Sequence, residues 1–159
     1  MGDLLYGVVV GTHRRETGEF HYDMIPVRYF QSPLFSRKLY QEKATELALR
    51  LLNDMKLRDG EEIEICSSFL FDKTRPELVR RFGEDRVKVA SIVGEAQDRV
   101  EGAYLDEIRN LGYQPIHERD ERRARSFFHM LRWVKEDRQQ RLRLAKTGWP
   151  RLKRYIRVR

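Results

Sequence analysis

One cysteine, Cys66, is all that this 159-residue chain contains. No intrachain disulfide can form, and with only four histidines the paired Cys and His frameworks that hold structural zinc are excluded. Cys66 follows Ile63 and Ile65 and is expected as a buried, unreactive thiol. Long apolar runs are also missing: none approaches the roughly 20 residues that cross a bilayer, so no membrane partner is expected. The opening MGDLLYGVVV has neither a basic n-region nor a small-residue cleavage site, and a cytoplasmic location is expected from it. No GxGxxG and no Walker sequence occurs, which removes the usual nucleotide-binding readings. Internal repeats and low-complexity stretches are absent as well.

Charge, by contrast, is plentiful. Charged residues make up 36% of the chain, against about a quarter in an average domain. With Arg favoured, this composition fits a heat-adapted intracellular protein, and equally a very soluble surface. The charge is also unevenly placed. From Arg119 to Arg159 there are fifteen Lys and Arg against four Asp and Glu, a net of +11, while residues 1–118 carry a net of −4. A basic appendage on a mildly acidic body is an electrostatic footprint for a polyanion, and nucleic acid is the first candidate. The expected organisation is an α/β domain over residues 1–117, followed by a basic helix and tail over 118–159.

Periodicity supplies the elements. Leu4 to Val10 reads as a buried strand ending at Gly11, and Thr17-Gly18 as a hairpin turn. A second strand follows from Phe20 through Tyr29, disturbed at Pro26. Tyr40, Ala44, Leu47, Ala48, Leu51, Leu52 and Met55 recur at helical spacing, with Ser36 as N-cap and Asp59-Gly60 as the stop. Ile63 and Ile65 alternate with Glu62 and Glu64 in a half-buried strand. Thr74 caps a short helix that ends by Gly83. Val87 and Val89 start another strand, and a helix from Gly94 closes at Gly112. Tyr113 to Ile116 is a candidate short strand. From Glu118 onward Ala124, Phe127, Phe128, Leu131 and Val134 mark a helix that Gly148-Trp149-Pro150 terminates. Alternating strands and crossover helices predict a largely parallel sheet with an antiparallel hairpin at one edge.

Several groups carry candidate chemistry. His13, beside Arg14 and Arg15 after the first strand, sits where α/β proteins meet phosphates, although an exposed hairpin loop with solvated charges is the plainer reading of the same residues. Glu95 and Asp98 lie near a predicted helix N-terminus. They are either metal ligands or ordinary acids favoured there by the helix dipole, and Asp72 carries the same ambiguity. The basic end is richest. Arg122, Arg123, Arg125, Arg132, Arg141, Arg143, Arg151, Lys153, Arg154 and Arg157 are candidate phosphate contacts. Trp133, Trp149 and Tyr155 are interleaved as candidate stacking groups for unpaired bases.

The order of elements, with GVVVGTHRRETGEFHYDMIPVRYF leading into a long helix, resembles the ribonuclease H-like superfamily, the branch containing the YkuK proteins. Gly11 and Thr12 match that branch's Gly-Thr-Asp-Ser turn. His13 stands at its aspartate and Arg14 at its serine. Asp98-Arg99 matches a later Asp-Arg pair, and Cys66 falls where a second acid belongs. The resemblance implies a ribonuclease H-like mixed sheet and, with its acids intact, a nuclease using Mg²⁺ or Mn²⁺. His13 and Asp98 would then be catalytic, and Glu95, Asp98 and Asp72 metal ligands. With the first acid replaced by His13, the expected function is nucleic-acid binding, RNA ahead of DNA, on a degenerate site that needs no cofactor. A divalent-metal nuclease and a module docking an acidic protein or a second copy of the chain (a homodimer) stay open beside it.

Overall fold

A computed structural model describes residues 3–156. The chain mixes helix and strand in the order β1 (Val8–His13), β2 (Phe20–Ile25), α1 (Leu39–Asp54), β3 (Ile63–Ile65), α2 (Thr74–Phe82), β4 (Val87–Val89), α3 (Glu95–Asn110), α4 (Arg123–Glu136) and α5 (Arg138–Arg141). Short 3-10 turns cover Val27–Phe30, Phe69–Phe71, Leu142–Leu144 and Pro150–Arg154. In place of one expected sheet, the described strands make two pairs. β1 pairs with β2, and β3 runs parallel to β4 with Ile63 opposite Val87 and Ile65 opposite Val89. The second pair offers only three residues per strand, too short a ladder to extend far.

The described residues form two compact units. One comprises residues 9–25 and 38–103. The other comprises 3–8, 26–37 and, among the described residues, 104–156, so the basic segment shares a unit with the N-terminus.

In the first unit α1 buries Tyr40, Ala44, Leu47, Ala48, Leu51 and Leu52, the stripe read from the sequence. Leu52, Ile63, Ile65 and Leu78 close a core across α1, β3 and α2. Ser36 does not cap α1, because its hydroxyl donates to the Pro33 carbonyl at 2.9 Å. The helix follows Lys38, which is left-handed at φ 55°, and it stops at Asp54, short of Asp59-Gly60. Thr74 is the first residue of α2 rather than its cap, its Oγ1 2.9 Å from that of Thr45. Gly83, at φ 94°, ends that helix as expected. Cys66 is half-buried, not buried.

The hairpin departs most from expectation. β1 starts at Val8 and continues through Gly11 to His13, so the Gly11–His13 segment is strand and not loop. Gly11 is there for closeness: a Cβ would lie 2.8 Å from Phe20 Cε2 and 2.9 Å from Val100 Cγ2. β2 stops at Ile25 because Pro26 has no donor for the ladder, and Val27–Phe30 coil into a 3-10 turn. Arg14 is buried, not a phosphate contact. It donates to Glu61 Oε1 at 2.8 Å and Oε2 at 3.2 Å, to the Met55 carbonyl at 3.0 Å and to that of Lys56 at 3.3 Å. It also pairs with Glu19. The bond from Arg14, seconded by one from the Arg58 backbone N–H to Glu61 Oε2 at 2.9 Å, holds the Glu61 carboxyl down at about 2. Arg15 pairs with Glu64 at 2.7 Å.

In the second unit the buried Leu4 and Leu5 do not extend β1. Leu5 forms an antiparallel bridge with Ala145, Lys146 N donates to the Leu4 carbonyl at 2.8 Å, and Tyr6 N donates to that of Leu144 at 2.6 Å. The stretch 113–116 is not a strand. Tyr113 is buried, with its hydroxyl 2.7 Å from His129 Nδ1, and burial pushes its pKa up to about 12. α4 begins at Arg123 and buries Phe127, Met130, Leu131 and Val134. It breaks at Asp137 (φ −141°, ψ 70°), well before Gly148. The Asp137 carboxylate accepts from Gln140 N at 3.3 Å and starts α5.

Candidate nucleic-acid interface

α4 sorts its residues by helical spacing. With the apolar stripe turned inward, Arg125, Phe128, Arg132 and Lys135 recur at steps of three and four on the exposed side. Phe128 is 43% exposed, and Tyr155, 39% exposed, packs edge-on against it at 5.5 Å. Tyr155 also meets Phe127 at 6.3 Å, which seats the last 3-10 turn on the helix. Arg151 and Arg154, both exposed, precede Tyr155 in that turn. An exposed aromatic pair thus lies on a helix row of cations.

Ion pairing separates the basic residues into two groups. In the first unit, every Lys and Arg except Lys38, Lys56 and Arg86 has a carboxylate oxygen within 4 Å among the described residues. The basic segment is different. Arg119 is buried and grips Asp3 at 2.6 Å and Asp120 at 3.0 Å; Arg123 reaches Asp3 at 3.3 Å. Arg125 is 3.7 Å from Glu118, a loose exposed pair, and Arg122 adds its field at the same carboxyl, whose pKa is lowered chiefly by a backbone hydrogen bond. Arg132, Lys135, Arg143, Arg151, Lys153 and Arg154 are exposed and have no carboxylate within 4 Å among the described residues. Arg157 lies outside the described residues.

The two tryptophans take different parts from those expected. Trp133 is half-buried, edge-on to Tyr113 at 5.6 Å, and covered by the Arg141 guanidinium 4.1 Å from its ring centroid. Arg141 also donates to the Trp133 carbonyl at 2.8 Å and lies 3.4 Å from Glu136. One ring face and one guanidinium are therefore already occupied by each other. Trp149 is half-buried, beside the cramped Gly148.

Sequence reasoning missed Lys146. It counts toward the +11 of the basic segment, yet it is buried and donates to the carbonyls of Asp3 at 2.9 Å and Leu5 at 3.0 Å. The Phe30 and Tyr104 rings lie 5.8 and 5.7 Å from its nitrogen. Burial lowers its pKa to about 7, so it adds little to any surface field. The only hint in the sequence is its place between Leu144-Ala145 and Thr147-Gly148, within an apolar, turn-forming stretch.

The acids named for metal binding do not assemble. His13 Nε2 is buried without a hydrogen bond and lies 3.6 Å from Glu95 Oε2. Glu95 also faces Arg99 at 3.4 Å. Asp72 is paired with Arg75, and Asp98 is exposed on the first turn of α3. Among the described residues no three His, Cys, Asp or Glu side chains come close enough together to hold a metal ion. One imidazole and one carboxylate do not fit the two-ion arrangement that phosphodiester cleavage needs. No helix among the described residues is long and apolar enough to cross a membrane. Comparison with protein-family models, with curated proteins and with solved structures returns no match to this chain.

Proposed function

We propose that this chain is a cytoplasmic nucleic-acid-binding protein, RNA ahead of DNA, that contacts its ligand through α4 and the turn ending at Tyr155. Its body would be a ribonuclease H-like relative with a degenerate acid set. His13 at the first acid position supports that part of the reading. The observation that carries the proposal is the asymmetry in ion pairing. Cations of the first unit are largely neutralised by neighbouring carboxylates, whereas Arg132, Lys135, Arg143, Arg151, Lys153 and Arg154 are not. Of these, Arg132 and Lys135 share the α4 row with Phe128, and Arg154 directly precedes Tyr155; cations next to an exposed aromatic pair suit a single strand, whose phosphates seek cations and whose bases offer faces for stacking.

The test is fluorescence anisotropy with labelled 20-nucleotide RNA and DNA of the same sequence across a salt series. Each phosphate neutralised on a single strand contributes about −0.7 to the slope of log K against log salt. A slope of about −2 or steeper, with RNA bound more tightly than DNA, is expected. Salt-independent binding, or no binding at low salt, removes the reading and leaves an acidic protein as the partner to seek.

A further inference from the structure

The second unit contains an open groove of about 980 Å³ whose lining is unlike the α4 row. Its floor is apolar, from Leu142, Leu152 and Ile156. Its rim is cationic, from Arg138, Arg143 and Lys153, and no carboxylate of the described residues lines it. Gln31, Ser32, Gln139 and Thr147 add neutral polar groups to the lining. A pocket that joins an apolar floor to a few directed polar groups is how a small ligand is held and oriented.

The polar groups are set in place and partly unused. Gln31 Nε2 donates to the carbonyls of Arg143 at 3.0 Å and Ala145 at 2.8 Å, which fixes the amide orientation. Its Oε1 then remains as an acceptor with no partner among the described residues. The hydroxyls of Ser32 and Thr147 have none either. On the rim, Arg138 donates to the Ile156 carbonyl at 2.5 Å and Arg143 Nε to that of Gln140 at 3.0 Å. Arg143 retains its two terminal nitrogens and Lys153 its ammonium.

We infer that this groove holds one nucleotide of the bound strand, its base on Leu142, Leu152 and Ile156 and its phosphate at Arg143 and Lys153. The inference rests on the nucleic-acid reading and adds a base-reading site to it. Charge complementarity requires an anion, and the apolar floor requires a flat or greasy group attached to it. Gln31 Oε1 with two hydroxyls offers both acceptors and donors, as the edge of a base demands. A fatty or purely acidic ligand would leave those groups unpaired.

The experiment is a calorimetric titration of the full chain with the dinucleotides pUpU and pApA and with inorganic phosphate. It is repeated on R143A/K153A and on Thr147→Val, with circular dichroism confirming the fold. All three positions lie at the surface or half-buried, and Arg80→Ala in the other unit serves as a control. The dinucleotides are expected to bind and phosphate alone to bind at least 10-fold more weakly. The double variant should lose at least 10-fold, and Thr147→Val should change the ratio between pUpU and pApA. Equal binding of phosphate and dinucleotide, or an unaffected double variant, overturns the groove. If the 20-nucleotide RNA still binds while no dinucleotide does, the groove is wrong and the broader reading stands. If wild-type protein binds neither, the broader reading has failed.

Discussion

Lys146 donates from Nζ to the main-chain carbonyl of Leu5 at 3.0 Å, inside the unit that joins the basic segment to the N-terminus. The same carbonyl accepts from the Tyr104 hydroxyl at 2.9 Å. The charged groups bearing on the lysine are the Asp3 carboxylate, which favours its protonation, and the Arg119 guanidinium, which opposes it. Burial outweighs both and brings the pKa from 10.5 down to about 7. In the unfolded chain the lysine holds its proton up to about pH 10.5. Between the two values the unfolded state binds more protons, so stability rises with pH across that window. Urea denaturation should show wild type gaining about 2 kcal/mol relative to Lys146→Met between pH 7 and 9. Parallel pH profiles for the two proteins would contradict the assignment.

Arg14 makes a second prediction. Its guanidinium satisfies Glu61 and two backbone carbonyls in a buried setting. Arg14→Leu strands those acceptors and should lower the thermal midpoint by several degrees, read by thermal unfolding. Because Glu61 is held at about 2, its stabilisation is present above its ordinary value of 4.5 and is lost as pH falls through 2. Arg14→Leu should therefore lose less stability than wild type on acidification over that range.

Gly148 donates from its amide to the Phe30 carbonyl at 2.8 Å. A Cβ there would sit 2.7 Å from that same oxygen and 2.6 Å from Phe35 Cβ. Neither atom is the far end of a flexible side chain. Gly148→Ala should destabilise by about 1–3 kcal/mol, and an unchanged thermal midpoint would show that the chain closes less tightly there.

For the proposed interface, Arg132→Ala with Lys135→Ala should flatten the salt slope by about 1.4, two phosphate contacts' worth. Tyr155→Ala should leave the slope alone and weaken RNA binding by about 1–3 kcal/mol through lost stacking. Anisotropy over a salt series separates the two effects. A tyrosine variant that alters the slope, or a cation pair that does not, would reassign these residues.

Periodic and one-dimensional features were readable without coordinates. The α1 stripe from Tyr40 to Leu52 and the α4 stripe through Phe127 and Val134 are set by the 3.6-residue repeat, which needs no tertiary information. Glu62 and Glu64 face solvent because side chains alternate along any strand. The excess of Arg and Lys after residue 118 is likewise a property of composition, and so is the scarcity of Cys. What a line of residues cannot convey is which charge meets which. Arg14 and Arg132 are alike as letters. One is enclosed by Glu61 and the Met55 carbonyl, and the other stands exposed on α4. Lys146 looked like one more surface cation until Leu5 and Asp3, more than 140 positions away, surrounded it. Long-range pairing also decided that Leu5 bridges Ala145 instead of extending β1, and that the strands divide into two small sheets. Local pattern determines which face of an element is apolar; only the packed chain decides where each buried charge finds its partner, because that interaction depends on distance in space.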